Sequence, residues 1–385
     1  MTARRLSILA AAACLAFPAA AHAGSPPDPH DPCAHGGRDS CGTTGAGFYA
    51  SYRYGLRWFG DYRVPGAPKA FCLDLRYWYA SRSYRYRPQA GVLRNRDGVR
   101  VPLERERRIA YAIWRYGRSD DPARQAAVML YVHALMGDAR PGETDPAAVG
   151  HGVAAVYRQV ARDSARYHGP YRVAARLPSA LVVGRPATAT IRVLSAHGKP
   201  VRSVRLTLAA AGTDGVPATV TTNAAGVARL RLTPMATALR LRVRTEPLAA
   251  PRLRVLAPSA PAARRNGQRL AVPFAQPAAA TIVRDDVHAT PRLATHASAQ
   301  ATAPGGAIRD TVTVGGIGRS SVTIGVALWG PFASRAAIRC AGMPYWSGTI
   351  AARGNGSFPT PQVTLERAGY YAFQETISAG PQISG

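Results

Sequence analysis

The spacing of apolar residues changes along the chain and divides it into stretches of different character. Phe48–Phe59 and Leu73–Tyr86 interleave Tyr, Trp and Phe with Arg, an alternation that predicts strands. Pro65-Gly66 marks a turn between them. The period then lengthens: Leu103, Ile109, Ala112, Ile113 and Tyr116 fall on helical spacings, arginines take polar positions, and Gly117 ends the run. Asp120-Asp121-Pro122 opens a second helix, with acid near its start and Pro at the first position, and Gly137 closes it after Met136. Asp145–His168 permits a third. Residues 46–170 therefore make an α+β head.

From Tyr171 the pattern is β throughout. Short alternating runs are separated by turns at His197-Gly198, Gly212–Gly215 and Ala225-Gly226. The plainest is Leu239-Arg-Leu-Arg-Val-Arg244, with aliphatics on one face and arginines on the other. Gly198-Lys-Pro-Val-Arg-Ser-Val204 and Thr221-Thr-Asn-Ala-Ala-Gly226 resemble bacterial immunoglobulin-like stalk modules, which gives 171–257 as an immunoglobulin-like β-sandwich. Residues 258–280 are rich in Ala and Pro and are expected to be a linker. Residues 281–385 are expected to form a second, truncated, β-sandwich module. The predicted fold class is thus multidomain, an α+β head followed by two all-β sandwich domains.

Residues 1–23 have the form of a signal peptide: Arg4 and Arg5, an apolar Leu6–Ala21, and the small-residue site Ala21-His22-Ala23. Export to the outside or the cell envelope is expected. No later span is long and apolar enough to suggest a transmembrane helix, and no sorting motif is recognised, so an unanchored mature chain is expected. Residues 24–45, rich in Pro, Gly, Asp and His, are expected to be a flexible leader. His30 and His35 flank Cys33 without the spacing of a metal site, and no metal or cofactor is expected. An exported chain permits disulfides; Cys33 and Cys41 are close enough to pair. Cys72 is then a buried free thiol or the partner of Cys340.

The charge balance is 49 basic against 21 acidic residues, a formal net charge of +28, and the only lysines are Lys69 and Lys199. An anionic wall polymer is one partner this suggests. A genome that favours Arg and Ala is the alternative, and an arginine face is often only the wet side of a sheet. Aromatic and basic residues interleave as in single-strand nucleic-acid platforms. Without a recognisable RNA-binding motif, and with export expected, no nucleic-acid partner is expected.

Phe71-Cys72-Leu73-Asp74 lies in the aromatic run, and Arg124-Gln125-Ala126-Ala127-Val128-Met129 in the first turn of the second helix. Together they resemble the thioester-forming domain of Gram-positive and actinobacterial surface adhesins, whose motifs are aromatic-Cys-aliphatic and Thr-Gln-x-Ala-Ile-Trp. Arg124 and Met129 depart from that pattern. Ile109–Trp114 matches its Ala-Ile-Trp half but has Ala110 where Gln is required. The resemblance implies an internal bond between Cys72 and Gln125, with Trp78, Tyr79, Trp114 and His133 lining the site. It implies a surface ligand bearing an amine, captured once and covalently. The alternative is a decayed thioester domain acting as a non-covalent envelope scaffold. Gly369-Tyr-Tyr-Ala-Phe-Gln-Glu-Thr376 resembles the glutamate strand of crosslinked pilin modules, but this domain has no lysine to crosslink. Gly-x-Ser-x-Gly, His-Glu-x-x-His, Cys-x-x-Cys and phosphate-loop motifs do not occur, so an enzyme is not expected.

Overall fold

The computed structural model describes residues 28–53 and 55–384. The expected signal peptide lies outside them. The chain is β-rich, 41% strand and 17% helix, with antiparallel sheets dominating. It forms two compact units: residues up to Arg162 with Arg252–Pro273, and Asp163–Pro251 with Phe274–Gly385. No helix among the described residues is long and apolar enough to cross a membrane.

The first unit is built on strands β1 (Thr44–Tyr52), β2 (Gly55–Val64), β3 (Ala67–Cys72) and β4 (Arg87–Gln89). Helix α1 spans Leu103–Tyr116 and α2 spans Pro122–Met136. Both follow the signals in the sequence. Asp121 caps α2 by accepting from the Ala123 and Arg124 amides, Pro122 is its first residue, and Gly137 ends it in the left-handed conformation. Nearly every side chain of α2 is buried, because it packs against the sheet on one side and α1 on another. Gly117 is required where α1 meets β3: a β-carbon there would lie 2.7 Å from the ring of Phe71, the residue before Cys72.

The sheet of this unit is completed by a segment from far along the chain. Strands β5 (Arg254–Ala257) and β6 (Leu270–Val272), joined by the short helix α3 (Pro261–Asn266), insert between β3 and β4, giving the order β1-β2-β3-β6-β5-β4. This corrects the expected linker over 258–280. Ala and Pro are compatible with a short helix that starts on Pro261 and with strand edges, and Leu270 and Ala271 are fully buried. The return is fastened by Glu106 of α1, whose buried carboxylate accepts from Leu253 N at 3.2 Å and Arg252 Nη1 at 2.9 Å. The described part of the expected flexible leader is also structured. Ala34–His35 pairs with Arg38–Asp39, and a Cys33–Cys41 disulfide closes the hairpin.

Among the described residues the second unit has six antiparallel sheets, of which the four larger ones form two pairs. In the first pair, Leu239–Thr245 has its aliphatics buried and Arg240, Arg242 and Arg244 exposed, as the alternation predicts. In the second, Arg292–Ala297, Asp310–Gly315 and Gly356–Pro359 share a core with Trp346–Arg353, Ser321–Phe332 and Tyr370–Ile377. A carboxyl pair joins these two sheets. Asp310 is fully buried and accepts from the Thr295 hydroxyl, while Glu375 approaches it from the other sheet. Burial first, and then Asp310, raise the Glu375 pKa to about 7, from its ordinary value of 4.5. The folded module therefore holds a proton that the unfolded chain releases. The stability contributed by this proton is fully present below 4.5 and is lost as pH rises through about 7. Urea titrations of the full chain are expected to show this module weakening by about 1–2 kcal/mol across that window, after discounting for solvent screening. Glu375→Gln is expected to flatten the dependence; an unchanged pH profile in that variant would exclude the pair as its source.

Candidate functional site

Cys72 ends β3 and is 1% exposed. Its Sγ donates to the Asp74 carbonyl at 3.1 Å and accepts from the Asp74 amide at 3.2 Å. Burial, and then the charge of Asp74, push the thiol pKa well above its ordinary value. Cys72 and the exposed Cys340 are both free thiols. Cys72 faces a cavity of about 400 Å³. Of the residues expected to line a site there, Trp78, Tyr79 and His133 do so; Trp114 does not, and packs its ring on Tyr111.

Gln125 is not among the cavity-lining residues. Its Nε2 donates to the Tyr116 carbonyl at 3.1 Å and the Ser119 carbonyl at 2.6 Å, tying the start of α2 to the end of α1. His133, on the same helix, does face the cavity, and eight residues of helix separate the two by about 12 Å along the axis. The glutamine that shares the cavity with Cys72 is Gln268. Strand β6 pairs with β3 in the register Leu270↔Cys72 and Ala271↔Phe71, continued by Leu73 N donating to Arg269 O at 2.9 Å. Gln268 lies just ahead of β6; its amide donates to the Trp78 carbonyl at 3.2 Å, and it lines the same cavity as Cys72.

The Gln268 side chain is held by one hydrogen bond, from Nε2 to the Tyr77 carbonyl at 3.0 Å. Its Oε1 is buried with no hydrogen-bond partner. An orphaned buried carbonyl costs about 1–3 kcal/mol. Gln125 Oε1 is orphaned too, so the orphan alone does not mark a site; only Gln268 combines it with access to the Cys72 cavity.

Asp74 fixes this arrangement. It is fully buried and receives Arg269 Nη2 at 2.6 Å, Arg269 Nε at 2.9 Å and the Arg269 backbone amide at 2.8 Å. Arg96 Nε adds an ion-pair contact at 2.9 Å. Burial opposes the carboxylate's charge, but Arg269 and then Arg96 overcome it and hold its pKa below the usual range. The residue two after Cys72 is thereby locked to the residue after Gln268. At His133 burial prevails instead: it lowers the pKa to about 4, so the ring is neutral, and its Nδ1 has no hydrogen-bond partner.

The disulfide hairpin contributes Ala34 and Gly37 to the cavity wall. It is seated by the Tyr79 hydroxyl donating to Gly37 O at 2.7 Å and by Asp31 accepting from Tyr79 N at 2.8 Å. Sequence reasoning located Cys72 and the aromatic wall but missed Gln268 and the Asp74–Arg269 clamp. The available signal was the apolar Leu270-Ala-Val272 shortly after Gly267, obscured by its Ala/Pro-rich surroundings.

No protein-family model matches the chain, and no curated protein matches it. The solved structures that resemble it include bacterial surface adhesins. The thioester domain of the Enterococcus faecium TIE86 protein is 12% identical, over 63% of this chain and 92% of that one, with a TM-score of 0.31. The Yersinia pseudotuberculosis adhesin InvE is 14% identical, over 54% and 58%, with a TM-score of 0.29. The D0-D1 domain of Intimin is 17% identical, over 55% and 92%, with a TM-score of 0.19. Likenesses this distant carry no functional argument.

Proposed function

We propose that this is an exported surface protein whose first unit attaches covalently to an amine on a partner, through an internal thioester between Cys72 and Gln268. The observation that carries the reading is that a buried thiol and a buried carboxamide with an unpartnered carbonyl oxygen line one cavity. The motif around Cys72 supports it from the sequence; the glutamine differs from the one the motif comparison implied.

In the bond-forming step the Cys72 sulfur adds to the Gln268 carboxamide carbon. The C–N bond breaks and nitrogen leaves as ammonia, carrying the thiol proton. His133, neutral and with Nδ1 unengaged, is placed to pass that proton. A thiol with a raised pKa does not ionise in advance, so the proton moves as sulfur and carbon join. Proximity supplies most of the rate; well-oriented partners gain roughly 7–11 kcal/mol. The aromatic walls and the disulfide hairpin exclude the water that would hydrolyse the product. An amine then adds to the acyl carbon, an amide forms, and the sulfur leaves with the amine's proton, restoring the Cys72 thiol. The protein acts once.

Intact mass of the mature chain tests this. It is expected to be lighter by one ammonia and to gain one methylamine on incubation, with both changes absent in Cys72→Ala. A full-mass chain that takes up no amine would remove the covalent reading and leave non-covalent attachment in the envelope.

A further inference from the structure

We infer that His168 and His197 form a binding site for a late first-row divalent metal ion, with zinc as its simplest representative. The inference goes beyond the attachment chemistry of the first unit and does not depend on it. Both histidines belong to the second unit, 29 positions apart and outside any contiguous metal motif. His168 follows the helix Val153–Tyr167 and is 1% exposed. His197 lies in the turn after strand Ala187–Leu194 and is exposed. Their Nε2 atoms are 3.1 Å apart.

The backbone fixes what carries both rings. Gly198 N donates to Ser195 O at 3.0 Å and Ser195 N to Lys199 O at 2.9 Å, closing the turn that holds His197. That turn is joined to the end of the helix twice. Ala196 N donates to His168 O at 3.0 Å, and the Ser195 hydroxyl donates to Arg166 O at 2.9 Å. Ligands held on backbone of this kind lose little freedom on meeting an ion.

His168 is set in the form a metal needs. Its Nδ1 lies 2.7 Å from Gly169 O, and a carbonyl only accepts, so Nδ1 carries a proton. In the neutral ring Nε2 is then a bare lone pair, turned toward His197. A ring N–H held by a backbone carbonyl fixes the tautomer and orientation of a metal-ligating histidine. His197 serves as the second ligand with its own proton on Nδ1.

The spacing of the rings points the same way. They are nearly perpendicular, at 82°, with centroids 4.8 Å apart. That is too close for two rings aimed nitrogen to nitrogen along one line, the arrangement a hydrogen bond prefers. The nitrogens are tilted instead, as convergence on a third atom requires. An ion about 2.0–2.1 Å from each nitrogen would bond them at an angle of roughly 95–100°, between the octahedral and tetrahedral values. Imidazoles suit zinc, copper and nickel, whereas calcium and magnesium take oxygen donors. Two imidazoles leave the remaining positions of such an ion to other ligands.

The test titrates zinc chloride into the mature full-length chain, prepared without a histidine tag, and follows binding by calorimetry. One equivalent is expected to bind at least about tenfold more tightly than to His197→Ala, since losing a ligand costs no less than losing its supporting contact. His197 is exposed, so this variant is expected to keep the parental circular dichroism. His168→Gln is expected to lose the site as well. Zinc is expected to raise the thermal unfolding midpoint of the parent more than that of His197→Ala, and calcium to raise neither. Cys340→Ser, which removes the exposed free thiol, is expected to bind zinc as the parent does. Equal zinc affinity in the parent and His197→Ala would overturn the inference, as would loss of binding in Cys340→Ser. A parent chain with no saturable zinc binding would leave the two histidines a hydrogen-bonded pair only, and would overturn it too.

Discussion

Gln268→Ala is expected to abolish the ammonia deficit and the methylamine adduct completely, whereas Gln125→Ala is expected to retain both. The contrast follows from where the two carboxamides lie. Gln268 shares a cavity with Cys72, and without it the sulfur has no acyl partner. Gln125 donates to the Tyr116 and Ser119 carbonyls, and its loss leaves those acceptors short of a donor in a buried helix junction. The expected cost of Gln125→Ala is therefore stability, about 1–3 kcal/mol in urea denaturation, with bond formation preserved in the folded fraction. Gln268→Glu is the sharper control. It keeps the length and the carbonyl oxygen but replaces the leaving nitrogen, so a folded chain of full mass is expected. If Gln125→Ala instead restores full mass and Gln268→Ala leaves the deficit, the glutamine assignment is reversed.

The difference between these glutamines shows what the sequence could reveal. Helices α1 and α2 were legible because their signals are local: an apolar period, Asp and Pro at a start, Gly at an end. Cys72 was legible because its motif is contiguous. The pairing of β6 with β3 is neither. It joins residues separated by 195 positions, as in the Arg269–Asp74 contact, and β6 is only three residues long. A three-residue strand is too short to show a period. Its composition, rich in Ala and bordered by Pro, resembles the surrounding segment that reads as a linker. The same locality explains the leader, where Pro and Gly mark turns without showing that a disulfide and Tyr79 hold them in place. In the second unit, where strands are longer, alternation located a buried face, that of Leu239, Leu241 and Val243.

The second large effect is expected at Asp74, which the motif comparison quotes only as the residue closing Phe-Cys-Leu-Asp. Asp74→Asn is expected to destabilise the first unit by about 3–5 kcal/mol, the typical result of stranding the other half of a buried ion pair. The stranded group is Arg269, itself buried, whose Nε, Nη2 and backbone amide all converge on this carboxylate. The pH dependence has a definite sign. The folded-state pKa of Asp74 lies below its ordinary value of 3.8, so its stabilisation is present above 3.8 and is lost as pH falls through the folded-state value. Acid unfolding of the first unit is expected to shift to higher pH in Asp74→Asn and to lose this component of its slope. The effect on chemistry is separable from the effect on folding. With Arg269 no longer clamped, Gln268 is free to shift, and a displacement of about 1 Å at a reacting centre slows reaction roughly a hundredfold. Under conditions where circular dichroism shows Asp74→Asn fully folded, the ammonia deficit is therefore expected to appear far more slowly than in the parent chain. An Asp74→Asn protein that folds with parental stability and forms its bond at the parental rate would show that the clamp neither holds the sheet nor positions the glutamine.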